Sequence, residues 1–175
     1  MNTITYNFIT KETAQDLRLP NEPFNIFGRM VVNRIEDEWS YTTELFDETT
    51  TMTFPEEAYD VDQINRDGFA IGAYDGEICV GLAVYQNEWA KYMYLHDLKV
   101  NKDYRKHGIA GELITRGLEE AKKRGYAGVF TIGQDNNLAA CKFYLKQGFV
   151  IGGLNTHGYN RTPQEGKADI YFYLE

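Results

Sequence analysis

Tyr92-Met93-Tyr94-Leu95-His96-Asp97-Leu98-Lys99-Val100 runs through Asn101-Lys102-Asp103-Tyr104 into Arg105-Lys106-His107-Gly108-Ile109-Ala110-Gly111, and the fold is read outward from this stretch. Its first nine residues are an apolar strand pattern. Beyond Gly108, Ile109, Leu113, Leu118 and Ala121 fall on one helical face, with Glu112, Arg116, Glu119, Lys122 and Lys123 mostly off it. Gly125 is the expected stop. A strand, a glycine-bearing turn and a helix start can hold a phosphate on backbone N–H groups. The turn is neither a dinucleotide fingerprint nor a Walker loop, since G-x-G-x-x-G and Gly-Lys-Ser/Thr are both absent. Standing alone, it reads at least as well as an ordinary strand-to-helix turn with surface charges.

Upstream, Thr3–Ile9 is a first strand, and Thr10-Lys11-Glu12-Thr13 resembles a cap before a helix over Ala14–Leu19. Pro20 and Pro23 bound a break. Phe24–Ile35 and Trp39–Phe54 are rich in β-branched and aromatic residues and flank Glu36-Asp37-Glu38, which predicts a long hairpin. Pro55-Glu56-Glu57-Ala58 opens a short acidic helix reaching Asn65, its acids a solvated face. Phe69–Tyr74 and Glu77–Gln86, joined at Asp75-Gly76, form the clearest hairpin. Downstream, Ala127–Ile132 is a buried strand and Leu138–Gln147 a helix ending at Gly148. Phe149–Leu154 is a strand, Thr156–Lys167 a loop, and Ala168–Leu174 closes the sheet. This order predicts a mixed α/β sheet with helices against it, in one domain spanning 1–175.

With 175 residues, 43% of them apolar and 14% aromatic, the chain can bury a real core. Its 18 basic and 26 acidic residues give a formal charge of −8, which favours cationic partners and argues against nucleic acid. No window reaches the length of a membrane span, and Met1–Tyr6 lacks the regions of a signal peptide, so a cytoplasmic location with no membrane partner is expected. Cys79 and Cys141 lie far apart without metal-ligand spacing. Buried apolar thiols are expected, with no disulfide framework and no metal site.

Arg105-x-x-Gly108-x-Ala110 does not stand alone. Asn137-Leu138-Ala139-Ala140-Cys141-Lys142-Phe143-Tyr144, followed by Gly148-Phe149, is a second signature. Together, in this order and separation, the two resemble the acyl-coenzyme A site of GCN5-related N-acetyltransferases, over roughly residues 69–155. The resemblance implies that family's fold, a mixed, mostly antiparallel sheet of about seven strands flanked by helices. It implies acetyl-coenzyme A as cofactor. Leu98, Lys99 and Val100 would run beside the pantetheine arm, with Leu98 and Val100 bonding it through backbone groups. Backbone N–H groups across Arg105, Lys106, His107, Gly108, Ile109, Ala110 and Gly111 would hold the pyrophosphate, while Asn137, Ala140 and Phe143 would support the cofactor.

Tyr144 is the general-acid candidate, because a phenol with an ordinary pKa of about 10 stays protonated at neutral pH and can donate to a departing thiolate. As a helical aromatic beside Phe143 it could equally be core. The acceptor amine must lose a proton, and His96 and Asp97 are the nearest base candidates; Asp97 could instead be the amine's counter-ion. Strand neighbours face opposite sides unless a bulge intervenes, so both residues stay in contention. A covalent route through Cys141 is disfavoured, since no base partner is evident.

Asn21–Met30, Glu36–Leu45, Asn87–Tyr92 and Gln134–Asn137 resemble the streptothricin acetyltransferases within that family. The likeness implies a cationic small-molecule amine as acceptor, on the β-lysine moiety of an antibiotic. The acids from Glu36 to Asp62 would attract it, with Glu38, Asp97, Trp39 and Tyr41 as candidate contacts; one of the two aromatics is expected to be strand core. The alternatives are an acetyltransferase of another polyamine or of a protein amine, and a non-catalytic acyl-coenzyme A sensor. Oligomeric state stays open, a homodimer included.

Overall fold

The computed structural model describes residues 2–175. Among the described residues, seven of nine strands belong to one sheet and two to a separate ribbon, with helices beside them, the mixed and mostly antiparallel architecture expected. The chain divides into two compact units.

The first unit comprises the residues up to Glu22, then Phe54–Val129, and Glu175. Its strands β1 (Ile4–Phe8), β4 (Gly68–Asp75), β5 (Ile78–Gln86) and β6 (Tyr92–Val100) lie side by side in the order β1-β4-β5-β6, each pair antiparallel. The β4–β5 hairpin closes through Gly76 at a φ of 63°, with Asp75 paired to Ile78. That backbone is costly for any side chain with a Cβ, which is why Asp-Gly marked the turn. Both strands are buried almost throughout, because each face of the sheet is covered.

One face packs Ala70, Tyr74, Leu82 and Val84 against Leu17 and Ile64. The other carries helix α2 (Ile109–Lys123), and two glycines bring it close. A Cβ on Gly81 would stand 3.1 Å from Ile109 Cγ2 and 3.3 Å from Leu113 Cδ1. One on Gly117 would fall 2.0 Å from the fully buried Tyr85 ring, whose hydroxyl donates to the Leu113 carbonyl at 3.1 Å. The buried stripe of α2 is Ile109, Leu113, Ile114, Gly117 and Ala121. Leu118 is only half-buried, a correction to the expected face.

Two further expectations shift. Lys11–Arg18 is a 3-10 segment interrupted at Thr13, whose side chain accepts from the Thr10 N–H at 2.9 Å, in place of an α-helix over Ala14–Leu19. Helix α1 spans Val61–Asp67 and begins at Asp60, whose carboxylate caps the Gln63 N–H at 2.8 Å; it does not begin at Pro55. Asn21 is the physical reason. Its Nδ2 donates to the carbonyls of Phe54 and Pro55, so these groups are satisfied outside a helix.

The second unit comprises Pro23–Thr53 and Phe130–Leu174. Strands β2 (Phe24–Ile35) and β3 (Glu38–Met52) make the long hairpin, with Ile35 opposite Glu38 across Glu36 and Asp37. Most of β7 (Gly128–Gln134), with β9 (Asp169–Leu174) and β8 (Val150–Asn155), supplies the rest of its sheet in the order β7-β9-β8. Helix α3 (Leu138–Lys146) buries Leu138 and Cys141 and ends before Gly148, which takes a φ of 95°. The ribbon meets this unit through the Met30 N–H, donated to the Asp135 carbonyl at 2.9 Å.

Candidate active site

The phosphate-type turn is built as its sequence suggests. Lys106 and Gly108 both take positive φ, 65° and 80°, on either side of His107, and α2 starts directly after them. Such alternation turns successive N–H groups toward one concavity. The first bond of the helix ladder is Glu112 N–H to the Gly108 carbonyl at 3.0 Å, so the amides of Ile109, Ala110 and Gly111 precede it and have no intrahelical acceptor. A Cβ on Gly108 would meet nothing within 4 Å, so glycine is there for its backbone and not for space. Donors without acceptors on an open concavity fit a pyrophosphate.

The side chains of the turn have other tasks. Arg105 donates through Nε to the Val100 carbonyl at 3.1 Å and through its terminal nitrogen to Glu22 at 2.9 Å. Glu22 also accepts from the Lys102 N–H at 3.2 Å. Arg105 therefore fastens the turn to the strand end, and its charge is matched within the protein. His107 Nδ1 lies 3.2 Å from the Tyr104 carbonyl, which can only accept.

Upstream, β6 is bulged. Val84 pairs with Asp97 and Tyr85 with Leu95, which leaves His96 opposite no residue. His96 is exposed, with Tyr94 and Tyr59 edge-on at 5.4 and 6.1 Å between ring centres. Asp97 turns inward. Its Oδ2 accepts from the Tyr59 hydroxyl at 3.0 Å and from Lys99 Nζ at 3.3 Å, and Lys99 also reaches Glu57 Oε2 at 3.4 Å and Asn21 Oδ1 at 3.0 Å. Side-chain exposure is 13% for Asp97 and 12% for Lys99. Burial pushes the Asp97 carboxyl up; Lys99 opposes this, Glu57 adds to it and the Tyr59 hydrogen bond opposes it, with a net rise. Burial, then the negative neighbours Asp97 and Glu57, push the Tyr59 phenol far up, so it stays a donor.

The second signature lies in the second unit. Asn137 precedes α3 and its Oδ1 accepts from the Ala140 N–H at 3.4 Å, so its side chain begins the helix. Tyr144 is held by aromatic rings, with Phe149 and Phe172 each 5.5 Å away and Phe143 at 5.6 Å. Its ring packs as a helical aromatic and is half-buried. Glu38, Trp39 and Tyr41 sit on β3. Neither aromatic is core: Trp39 is half-buried under Arg34, whose Cζ lies 5.6 Å from its ring centre, and Tyr41 is 44% exposed. A two-stranded ribbon has no second layer to bury both faces, so the expectation of a core aromatic fails here. Asn21, Glu22 and Tyr59 are not among the sequence candidates, and Glu57 counts there only among the acids expected to attract a cationic acceptor.

Residues 39–149 match the acetyltransferase (GNAT) family, and the chain belongs to it. It is an acetyl-coenzyme A-dependent enzyme that transfers an acetyl group to an amine. Among curated proteins it is 33% identical to streptothricin acetyltransferase A of Bacillus subtilis over 168 residues, 95% of this chain and 97% of that one. Among solved structures it is similar to a protein assigned as a streptothricin acetyltransferase from Bacillus anthracis in complex with acetyl coenzyme A. There the TM-score is 0.88 at 26% identity, over 99% of this chain and 98% of that one. Nourseothricin acetyltransferase shares the fold with a TM-score of 0.80 at 21% identity, over 99% and 98%.

Proposed function

We propose that this protein acetylates an amine of streptothricin, on its β-lysine moiety, and so confers resistance to that antibiotic. The observation that carries the reading is the 33% identity, spread over nearly the whole length of both chains, with streptothricin acetyltransferase A. The formal charge of −8 suits a cationic acceptor. Acetylation turns a cationic amine into a neutral amide and removes a charge the drug carries. Because acetyl-coenzyme A is an intracellular metabolite, the reaction belongs in the cytoplasm.

In this reading the whole chain works as one acetyltransferase domain. The amides from Arg105 to Gly111 hold the pyrophosphate, Leu98 and Val100 offer backbone groups to the pantetheine arm, and Asn137, Ala140 and Phe143 support the cofactor. Bound acetyl-coenzyme A supplies an acetyl group activated as a thioester. The backbone at the His96 bulge is out of the ladder and offers an N–H to a carbonyl oxygen. The Tyr144 hydroxyl holds a proton for the departing sulfur, its ring fixed by Phe149 and Phe172. On the ribbon, Glu38 and Tyr41 are better disposed toward an acceptor than Trp39, whose ring already carries Arg34.

The test is an acceptor panel of streptothricin, spermidine, an aminoglycoside and a peptide, read as coenzyme A release with mass-spectrometric location of the acetyl group. Preference for streptothricin with the group on β-lysine is expected. Preference for another amine refutes the substrate, and cofactor binding with no product from any amine refutes the reaction. Tyr144→Phe should lower kcat about 100-fold or more with little change in coenzyme A affinity; unchanged turnover removes Tyr144 from the acid role.

A further inference from the structure

The end of β7 meets a cavity that lies wholly within the second unit. Its volume is about 220 Å³, and its walls come from β2, the ends of β7 and β8, and the residues entering β9. Met30, Val32 and Leu154 make it partly apolar, while Arg29, Asp135 and Lys167 bring the charges. Asp135 is 6% exposed, and its Oδ1 has no hydrogen-bond donor among the described residues. Its backbone is fixed on both sides: the carbonyl accepts from the Met30 N–H and the N–H donates to the Ala168 carbonyl, each at 2.9 Å. Burial pushes the carboxyl up; the Ala168 N–H, the charge of Arg29 and the Asn136 N–H oppose this, Asp169 adds to it, and the net is a rise. The protein by itself therefore undersupplies this carboxylate with donors.

The two cations of the wall differ. Arg29 is matched, with its Nε 2.9 Å from Glu44 Oε2. Lys167 Nζ donates to Gln164 Oε1 at 2.8 Å and lies 3.6 Å from Met52 Sδ, and it forms no ion pair with any carboxylate of the described residues. Asp135 and Lys167 thus line one cavity without pairing, and their charges cancel when both are ionised. A cationic ligand would meet Lys167 and an anionic one Asp135, each unfavourably. A neutral group with N–H donors at one end and a carbonyl at the other satisfies both.

We propose that this cavity binds a neutral primary amide or carbamate group of the acceptor, its N–H donors on the Asp135 carboxylate and its carbonyl oxygen on Lys167 Nζ. The proposal rests on the acetylation of an amine that carries such a group elsewhere, and not on streptothricin itself. Asp135 lies two residues before Asn137, which begins α3, the helix that carries Tyr144. The cavity wall and the general-acid candidate therefore share one strand-to-helix junction. Binding there holds the acceptor by a group that does not react and leaves its amine to the transfer.

Small fragments test this without turnover. Acetamide, acetate and methylammonium are close in size and differ in charge. Each is titrated into the protein, with the Asp135 carboxyl followed by carbon-13 NMR and Lys167 Nζ by nitrogen-15 NMR. Acetamide should bind at millimolar concentration and shift both signals, with the two ions about tenfold weaker or more. Removing one charge should redirect the preference, Lys167→Met toward methylammonium and Asp135→Asn toward acetate. If Asp135→Asn fails to fold, Lys167→Met and the wild-type ranking still decide. Saturating acetamide should also raise the KM of the acceptor that the panel identifies by about threefold or more, with the KM for acetyl-coenzyme A within about twofold. No saturable shift from acetamide, which leaves the cavity to water, overturns the proposal. So does a wild-type preference for either ion, or a ranking that neither variant changes. Acetamide binding that leaves the acceptor's KM unmoved overturns the assignment of the cavity to the acceptor. A panel that finds another amine, with the fragment ranking and the competition intact, overturns only the streptothricin reading.

Discussion

Gly108→Ala isolates what the turn contributes. The residue sits at a φ of 80° and ψ of 0°, in the left-handed region, and a Cβ there would touch nothing within 4 Å. Steric overlap with neighbours therefore adds no cost, and the whole penalty is the local one between Cβ and its own backbone, about 1–2 kcal/mol. That strain has two places to appear. If the ligand-free turn keeps its conformation, the folded state loses about 1–2 kcal/mol, and Tm falls by about 2–4 °C per kcal/mol at this chain length. If the turn relaxes instead, the strain must be restored when a pyrophosphate binds, and coenzyme A affinity falls about 5–30-fold. The two losses should sum to about 1–2 kcal/mol whichever way they divide. Asn, which tolerates this region better, should fall between Gly and Ala. Calorimetric titration with coenzyme A and urea unfolding of the three proteins give both quantities. An Ala variant that loses neither stability nor affinity refutes the claim that positive φ at Gly108 is what shapes the anion site.

Gly117→Ala is the steric counterpart, because its Cβ would fall 2.0 Å from the Tyr85 ring. Overpacking of about 1–3 kcal/mol and a lost hydroxyl bond of about 1 outweigh the helix-propensity gain of about 1, so net destabilisation is expected. A urea series that finds the variant as stable as wild type would show that α2 can shift on β5. The cysteines give a chemical test. Burial pushes the Cys79 thiol up to about 11 and the Cys141 thiol up to about 12. At pH 8 both should alkylate about a hundredfold or more slower than an exposed thiol. Rapid labelling of Cys141 that abolishes turnover would reopen the covalent route.

How much of this was legible depends on the range of the interaction. The Asp75-Gly76 hairpin, the glycine turn before α2 and the Asn137 start of α3 are set by a residue's own φ or by a partner three positions away, and local pattern finds them. The acidic stretch after Pro55 reads locally as a helix with a solvated face, because what holds it, Asn21, is more than thirty residues upstream. The same distance hid Glu57 and Tyr59. A carboxylate on a polar stretch looks solvated until the chain returns to bury it, and here the segment comes back beside β6, where Lys99 and Asp97 take Glu57 and Tyr59 as partners.

The bulge at His96 is illegible for a deeper reason. Alternation along β6 would put His96 and Asp97 on opposite faces, and nothing in its nine residues reports an extra one. The count is made by the partner: Val84 and Tyr85 are adjacent on β5, yet they face Asp97 and Leu95. Tyr85 is the better fixed of the two strands' side chains at that level, since its ring fills the space left by Gly117 and its hydroxyl is bonded to Leu113. Its neighbour Val84 is fully buried against the opposite face. With both β5 residues locked from two sides, the slack of one residue has to fall on β6, and His96 is where it falls. Helix packing on β5 therefore decides which of the two candidate bases turns outward and which turns in to meet Tyr59 and Lys99.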